Sequence, residues 1–201
     1  NEIEDDHILV SIGVEGNSNG FGLKSIGVDI SENQHIKVNE NGQTNIDNIY
    51  AVGDVTGPPW LAHVSSSEGL YVVEYIANLN PKKIDYDCIP ACTYSKPEIG
   101  SIGLDQKALD NKRVNYKIAK SFFNANGRAV ASGSTDGFIK ILVSDDNLIL
   151  GAHIIGSNAT EMISEFSLAM SNQLTVENIL GSVHPHPTFS EAIFETLMQL
   201  K

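Results

Sequence analysis

The distribution of apolar and turn residues divides the chain into two parts with different secondary-structure patterns. In the first part, apolar residues recur at helical spacing from Leu61 to Leu79 and predict an amphipathic helix. Strands are predicted at residues 8–13, 35–38 and 44–54. The segment 80–83, Asn-Pro-Lys-Lys, breaks the helix and is typical of a domain boundary. We therefore predict one domain over residues 1–83 and a second over residues 84–201.

The second part contains more strands, and their pattern predicts an α+β domain. Strands are predicted at residues 88–94, 99–102, 117–123, 138–143 and 148–155. The last two flank Asp145-Asp-Asn147, a turn sequence, so we expect an antiparallel hairpin. Helices are predicted after a cap at Asp105, from Asn158, from Thr175 and at the end of the chain up to Lys201. A reciprocal acidic residue, Glu161, supports the helix start at Asn158. The predicted fold is an α+β domain with an antiparallel sheet, preceded by an α/β portion.

Composition narrows the classes of partner that this chain can bind. Its 201 residues contain 13 Lys plus Arg and 25 Asp plus Glu, a formal net charge of −12. Phosphate backbones require a basic face, so we expect no nucleic-acid partner. Apolar runs stay far below the roughly 18–20 residues of a membrane span, so we expect no membrane partner. With 41% hydrophobic residues, the chain can bury a core.

Two cysteines, Cys88 and Cys92, lie in one predicted strand. Four residues of extended strand separate their Cα atoms by about 13 Å, beyond the ~7 Å limit for a disulfide bridge. A zinc site needs further ligands at clustered spacings, and none lie nearby in the sequence. We therefore predict two buried strand thiols and no metal site, which fits a reducing compartment.

Gly53 and Asp54 lie where a predicted strand ends and the helix near Leu61 is about to begin. Ligands of α/β sheets bind beyond the carboxyl ends of strands, where a carboxylate accepts hydrogen bonds from ribose or polyol hydroxyls. The free N–H groups of the following helix favour an electron-rich group. The residues alone leave two interpretations open: a ligand site, or an Asx turn followed by ordinary helix packing.

Segment 184–191, His-Pro-His-Pro-Thr-Phe-Ser-Glu, is the densest candidate site. Thr188 and Glu191 have the spacing of a capping box, which gives Glu191 a structural role. A carboxylate in the first helical turn can also lie close to the imidazole of His186, and such a pair suits proton exchange near neutral pH. A metal site at His184 and His186 is disfavoured because two ligands are too few. Acid–base catalysis and a structural helix entry both remain open.

Taken together, these segments resemble the C-terminal half of dihydrolipoamide dehydrogenases, in the pyridine nucleotide-disulfide oxidoreductase family. The resemblance runs along nearly the whole chain and is carried by residues 8–13, 48–55, 61–63, 68–69, 85–86, 97–98, 150–156 and 184–191. The Gly-Asp segment is shared by many flavoprotein reductases. The His-x-His-Pro-Thr-x-Ser-Glu string is more specific, because glutathione reductase-like enzymes usually lack the first histidine.

The resemblance implies that the first part is an incomplete α/β FAD- and NAD-binding portion. Asp54 would hold the ribityl chain of FAD. The pyrimidine edge of the flavin would be lined by Trp60, Leu61, Ala62 and His63. Gly13 would lie beside the nicotinamide half of NAD.

The resemblance also implies that residues from about 85 onward form an interface domain of a homodimer. His186 would take a proton from dihydrolipoamide, and Glu191 would hold the imidazole. This pair would serve the flavin and disulfide of the other subunit. The His186–Pro187 bond would be cis. The implied partner is the acyltransferase core of 2-oxo acid dehydrogenase complexes.

Departures from the family pattern limit these expectations. Residues 14–17, Val-Glu-Gly-Asn, replace the arginine-containing loop of many members, and Trp60 replaces the usual methionine. The sequence contains neither a Gly-x-Gly-x-x-Gly fingerprint nor a Cys-x4-Cys redox pair. We therefore expect that the parent protein oxidises dihydrolipoamide with NAD, and that the 201-residue chain alone is inactive and need bind neither cofactor.

Two alternatives to this expectation stay open at the level of sequence. The chain is a dimerisation or interaction module only, or it is part of a glutathione reductase-like disulfide reductase. The expected location is the bacterial cytoplasm, with the mitochondrial matrix as the alternative.

Overall fold

The structure is a computed structural model that describes residues 3–201. The chain folds into two compact units, which join between Ile84 and Asp85. This junction directly follows the predicted helix-breaking segment 80–83. None of the helices within residues 3–201 is long and apolar enough to cross a membrane.

The first unit contains one long helix, α1, at Ala62–Ile76. The helix buries Val64 and Val72 and ends close to the predicted position. Elsewhere in this unit, 3-10 turns form at Lys24–Ile26 and Asp54–Thr56. The predicted helix is therefore confirmed, with a narrower buried face than its apolar pattern indicated.

The strands predicted in the first unit are wrong. The segments 35–38 and 44–54 contribute only isolated bridges, at Ile36 and Tyr50. Residues 8–13 form no strand and pair with no other strand of the described chain, and Ile8 and Ile12 are 88% and 92% exposed. A strand persists only where a neighbour satisfies its backbone N–H and C=O groups. The apolar pattern thus marks residues that need a partner, which residues 3–201 do not supply.

A five-stranded antiparallel sheet organises the second unit. Its strands are β1 at Ala91–Thr93, β2 at Ile99–Gly103, β3 at Lys117–Phe122, β4 at Phe138–Val143 and β5 at Ile149–Ile155. The strand order is β1-β2-β5-β4-β3, and every neighbouring pair is antiparallel. The hairpin predicted around residues 145–147 is confirmed, because β4 pairs with β5. These observations confirm the predicted α+β domain with an antiparallel sheet.

Five α-helices complete the second unit, together with 3-10 turns at Tyr86–Cys88, Phe123–Ala125 and Met198–Leu200. The α-helices are α2 at Gln106–Lys112, α3 at Gly127–Ser132, α4 at Ala159–Ser171, α5 at Val176–Leu180 and α6 at Glu191–Leu197. The predicted cap of α2 is confirmed, since the Asp105 carboxylate accepts a 2.7 Å hydrogen bond from the N–H of Ala108. Sequence reasoning missed the six-residue helix α3.

The core of the second unit lies between the sheet and α4. Ile163 and Phe166 are buried there, against strand residues such as Ile154. The helix approaches β2 so closely that a Cβ on Gly100 would lie 2.5 Å from the carbonyl oxygen of Ala159. This close packing fixes the position of α4 relative to the sheet.

The N-terminus of α4 is capped by a residue from outside the predicted cap sequence. The Asn158 side chain makes no cap hydrogen bond, and the predicted reciprocal role of Glu161 is not observed. Instead, the Glu98 carboxylate accepts hydrogen bonds from the N–H and hydroxyl of Thr160, at 3.2 and 2.8 Å. The predicted cap was wrong, although the helix begins next to Asn158, because a carboxylate 62 residues away accepts the hydrogen bond from the N-terminus of α4.

Both cysteines are half-buried thiols, so the prediction of two buried strand thiols is wrong in part. Cys88 ends a 3-10 turn at Tyr86–Cys88, and only Cys92 lies in β1. Burial raises the pKa of the Cys92 thiol, and Glu161 and Glu98 raise it further. The thiol of Cys92 therefore stays protonated and poorly nucleophilic at neutral pH.

Candidate active site

The candidate site is built on the loop that joins α5 to α6. Phe189 is buried in this loop and makes an edge-to-face contact with Phe123, with ring centroids 5.8 Å apart. The Thr188 hydroxyl donates a 2.7 Å hydrogen bond to the carbonyl oxygen of Pro185. The His186–Pro187 bond is cis, which confirms the expectation from the resemblance.

His186 and Glu191 form a hydrogen-bonded pair at the end of this loop. The Nδ1 atom of His186 lies 2.8 Å from Oε1 of Glu191. The His186 side chain is 79% exposed, whereas that of Glu191 is 24% exposed. Because an ionised carboxylate only accepts, Nδ1–H donates and Nε2 carries the free lone pair of the imidazole. The pair therefore presents a basic nitrogen to the exterior of the unit.

Two donors stabilise the ionised form of Glu191. The Thr188 N–H donates a 2.8 Å hydrogen bond to Oε2 of Glu191. This bond, followed by the one from His186, lowers the pKa of Glu191 below its ordinary value. One helical turn later, burial raises the pKa of Glu195, and the charge of Glu191 adds to this shift. Of these two carboxylates, the structure therefore favours the ionised form of Glu191, which contacts His186, over that of Glu195.

The predicted capping box is only half formed. The Glu191 side chain receives the Thr188 N–H, but α6 begins at Glu191 itself and its N-cap is Ser190. The Thr188 hydroxyl bonds to Pro185 and Ser190, and not to a helical N–H group. The glutamate therefore stands at the helix start and not at the third position that the spacing predicted.

A second histidine–glutamate pair, which sequence reasoning missed, lies two residues before the first. The Nε2 atom of His184 is 2.9 Å from Oε1 of Glu165 on α4, and the His184 side chain is only 9% exposed. Its Nδ1 atom is buried and has no hydrogen-bond partner in the described chain. Each histidine thus has its own carboxylate, and residues 3–201 contain no cluster of three or more metal-ligating side chains.

Asn126 makes a second contact with this loop that the sequence analysis did not predict. Its side chain is 1% exposed and lies at the start of α3. Oδ1 accepts a 2.9 Å hydrogen bond from the N–H of Ala129, and Nδ2 donates a 3.1 Å bond to the carbonyl oxygen of Thr188. Asparagine before a helix is a recognisable cap signal, but its second bond spans 62 residues.

The residues that the resemblance assigns to FAD lie in the first unit. Gly53 has a φ of 79°, and a Cβ there would lie 2.9 Å from Oγ of Ser65 on α1. Its N–H donates a 2.7 Å hydrogen bond to Glu68 of the same helix. Glycine is therefore required for this approach, which places Asp54 beside the start of α1.

The surroundings of Asp54 fit a ribityl chain and an electron-rich ring edge. Asp54 is exposed and opens its 3-10 turn, so its carboxylate is accessible to hydroxyl donors. The N-cap of α1, Leu61, makes no side-chain cap bond. The backbone N–H groups at the positive end of α1 therefore donate no hydrogen bond to the N-cap side chain and favour a negatively charged ligand group.

The other assigned residues are less constrained in the structure. Ala62 and His63 are exposed in the first turn of α1, and Trp60 stacks on His35 with ring centroids 6.2 Å apart. Gly13 is exposed, with no described atom within 4 Å of a Cβ built on it. The contact of Gly13 with NAD stays a prediction.

Comparison with protein families places this geometry in a known class. Residues 89–197 match the dimerisation domain of pyridine nucleotide-disulphide oxidoreductases. Residues 1–69 match the pyridine nucleotide-disulphide oxidoreductase family itself. The chain belongs to the pyridine nucleotide-disulphide oxidoreductase family. These matches confirm the resemblance and the predicted order of an incomplete nucleotide-binding portion before a dimerisation domain.

Sequence comparison finds relatives that are named dihydrolipoyl dehydrogenases. One from Bacillus subtilis (strain 168) is 44% identical over 194 residues, which cover 96% of this chain and 41% of the relative. The mitochondrial enzyme of Caenorhabditis elegans is 41% identical, and the match covers 96% of this chain and 39% of that protein. The chain thus spans about two fifths of the length of these relatives.

Solved structures show the same fold. LpdA from Mycobacterium tuberculosis superimposes with a TM-score of 0.88 at 26% identity, over 93% of this chain and 41% of that chain. The HOCl-induced flavoprotein disulfide reductase RclA from Escherichia coli superimposes with a TM-score of 0.83 at 21% identity, over 93% and 43% of the two chains. At this identity, the second match shows the fold alone.

Proposed function

We propose that the chain is the C-terminal part of a dihydrolipoyl dehydrogenase that oxidises dihydrolipoamide with NAD. The observation that carries the proposal is the His186–Glu191 pair, with its 2.8 Å contact and its exposed imidazole. Nε2 of His186 accepts a thiol proton from dihydrolipoamide. Glu191 holds the ring through Nδ1 and stabilises the imidazolium that forms.

The first unit contributes to cofactor binding in this proposal. Electrons from the dithiol would pass first to a redox disulfide that this sequence does not contain; FAD, when bound, would accept them from that disulfide and pass them to NAD. Asp54 accepts hydrogen bonds from ribityl hydroxyls, and the N-terminus of α1 stabilises negative charge at the pyrimidine edge of the flavin. Residues 60–63 line that edge, and Gly13 lies beside the nicotinamide half of NAD.

The substrate is tested in the longer protein that this chain is proposed to belong to. We expect dihydrolipoamide-dependent reduction of NAD by that protein, without comparable turnover of glutathione disulfide. The purified 201-residue chain is expected to be inactive, because it contains no Cys-x4-Cys pair to exchange with the substrate. Turnover by the 201-residue chain alone would contradict the proposal. A preference for glutathione disulfide would favour a glutathione reductase-like enzyme.

We further propose that residues from about 85 onward form a homodimer, which the match of residues 89–197 to a dimerisation domain favours. Apolar side chains exposed on this unit offer a surface for association, among them Val183 at 96% and Val130 at 57% exposure. The acyltransferase core of a 2-oxo acid dehydrogenase complex is the proposed docking partner. The proposed location is the bacterial cytoplasm or the mitochondrial matrix.

Sedimentation equilibrium of the 201-residue chain tests self-association. We expect a dimer at micromolar concentration, formed through one self-complementary surface. As a matched pair, Val183→Ser is expected to weaken the dimer, whereas Val176→Ser, at a buried position, is expected to lower folding stability instead. A monomer for the unmodified chain at this concentration would count against autonomous dimerisation.

A further inference from the structure

A buried asparagine outside the loop is connected to His186 by consecutive hydrogen bonds. Asn126 Nδ2 donates to the carbonyl oxygen of Thr188 at 3.1 Å. The N–H of Thr188 donates to Oε2 of Glu191 at 2.8 Å, and Oε1 of Glu191 lies 2.8 Å from His186. We propose that Asn126 is a positioning residue that holds the His186–Glu191 pair through the backbone of Thr188. Only the catalytic consequence of this inference rests on the proposed function.

The amide of Asn126 has one orientation that satisfies both contacts. Oδ1 faces the N–H of Ala129, and Nδ2 faces the carbonyl oxygen of Thr188. A flipped amide would set donor against donor and acceptor against acceptor. Because the side chain is 1% exposed, water cannot replace either partner. The position of Thr188 is therefore tied to the start of α3.

Thr188 transmits this constraint because all its polar groups are engaged. Its carbonyl accepts from Asn126, its N–H donates to Glu191, and its hydroxyl bonds to Pro185 and Ser190. Release of the carbonyl allows the loop to move, and the N–H then loses its alignment with the carboxylate. The loop thus depends on Asn126 for the geometry at Glu191.

A purely local role for Asn126 as the N-cap of α3 makes a different prediction. A cap needs only the side-chain oxygen, which serine also supplies, whereas the bond to Thr188 needs the longer amide donor. Asn126→Ser therefore separates the two roles, and Asn126→Ala removes both. Asp105→Ala is the matched control, because it removes the N-cap of α2 without a bond to the loop.

The first test is a carboxyl NMR titration of Glu191 in the 201-residue chain. The pKa of Glu191 is expected to be below its ordinary value in the unmodified chain, to rise in both Asn126 variants and to stay low in Asp105→Ala. A titration in Asn126→Ser that equals that of the unmodified chain would overturn the proposal. If the variants do not fold, amide exchange in the unmodified chain decides: the Asn126 side-chain protons are expected to be protected, and rapid exchange would overturn it.

The second test uses the longer protein and dihydrolipoamide. We expect Asn126→Ser to lower kcat by about ten- to a hundredfold, with KM and flavin content little changed, because a small misplacement of a catalytic group costs rate more than binding. Unchanged kcat with a shifted Glu191 titration would show that the His186–Glu191 pair is not catalytic. That result would refute the catalytic role of the pair and leave the positioning role of Asn126 intact, whereas a failure of the unmodified longer protein to oxidise dihydrolipoamide would refute the proposed function.

Discussion

Replacement of His186 by glutamine in the longer protein is expected to slow oxidation of dihydrolipoamide by about 10²–10⁴-fold, the usual contribution of a general base. Glutamine can donate a hydrogen bond to Glu191, but it cannot accept a thiol proton in the required pH range. The measurement is a rapid-reaction assay of flavin reduction by dihydrolipoamide.

The same variant should leave folding and flavin content unchanged. The His186 side chain is 79% exposed, so its replacement buries no unsatisfied group and opens no cavity. Loss of flavin or a lower unfolding temperature would mean that His186 is structural. A normal rate of dithiol oxidation would exclude the residue as the base.

The state of Glu191 defines the pH range in which the pair can work. Folding lowers the pKa of Glu191 from an ordinary value of 4.5, chiefly through the Thr188 N–H. The hydrogen bonds to Glu191 therefore stabilise the folded chain fully at pH values above the ordinary pKa. This stabilisation is lost as the pH falls through the lowered pKa of the folded chain. At neutral pH the carboxylate is ionised and available to His186.

Periodicity predicted the second unit well and the first unit poorly, and the reason is the location of the partners. Strands β4 and β5 pair with each other across a short turn, so the pattern contained both members of the ladder. Residues 8–13 carry an equally clear apolar pattern, yet Leu9 is 91% exposed. An apolar pattern indicates that a segment is buried in its native setting, but it does not identify the segment that covers it.

In the candidate site, too, contacts between residues close in sequence could be predicted and contacts between distant residues could not. His186 and Glu191 are five residues apart, so a loop and the start of a helix were sufficient to predict their contact. The hydrogen bonds from Asn126 to the Thr188 carbonyl and from the Thr160 N–H to Glu98 each span 62 residues. Such contacts depend on how α3, α4 and the sheet pack, which no local spacing encodes.

Replacement of Phe166 by alanine is expected to lower the free energy of unfolding by about 3–5 kcal/mol, the usual cost of removing a buried phenylalanine. Phe166 on α4 is 0% exposed and belongs to the cluster that joins α4, α6 and the sheet. Folded domains are stable by only about 5–15 kcal/mol, so this loss would be a large share of the total. Urea unfolding followed by far-UV circular dichroism measures it.

Leu168→Ala is the matched control for this prediction, because it shortens an apolar side chain on the same helix. Leu168 is 64% exposed, so its loss is expected to change stability by no more than about 0.5 kcal/mol. An equal loss in both variants would contradict the exposed position of Leu168.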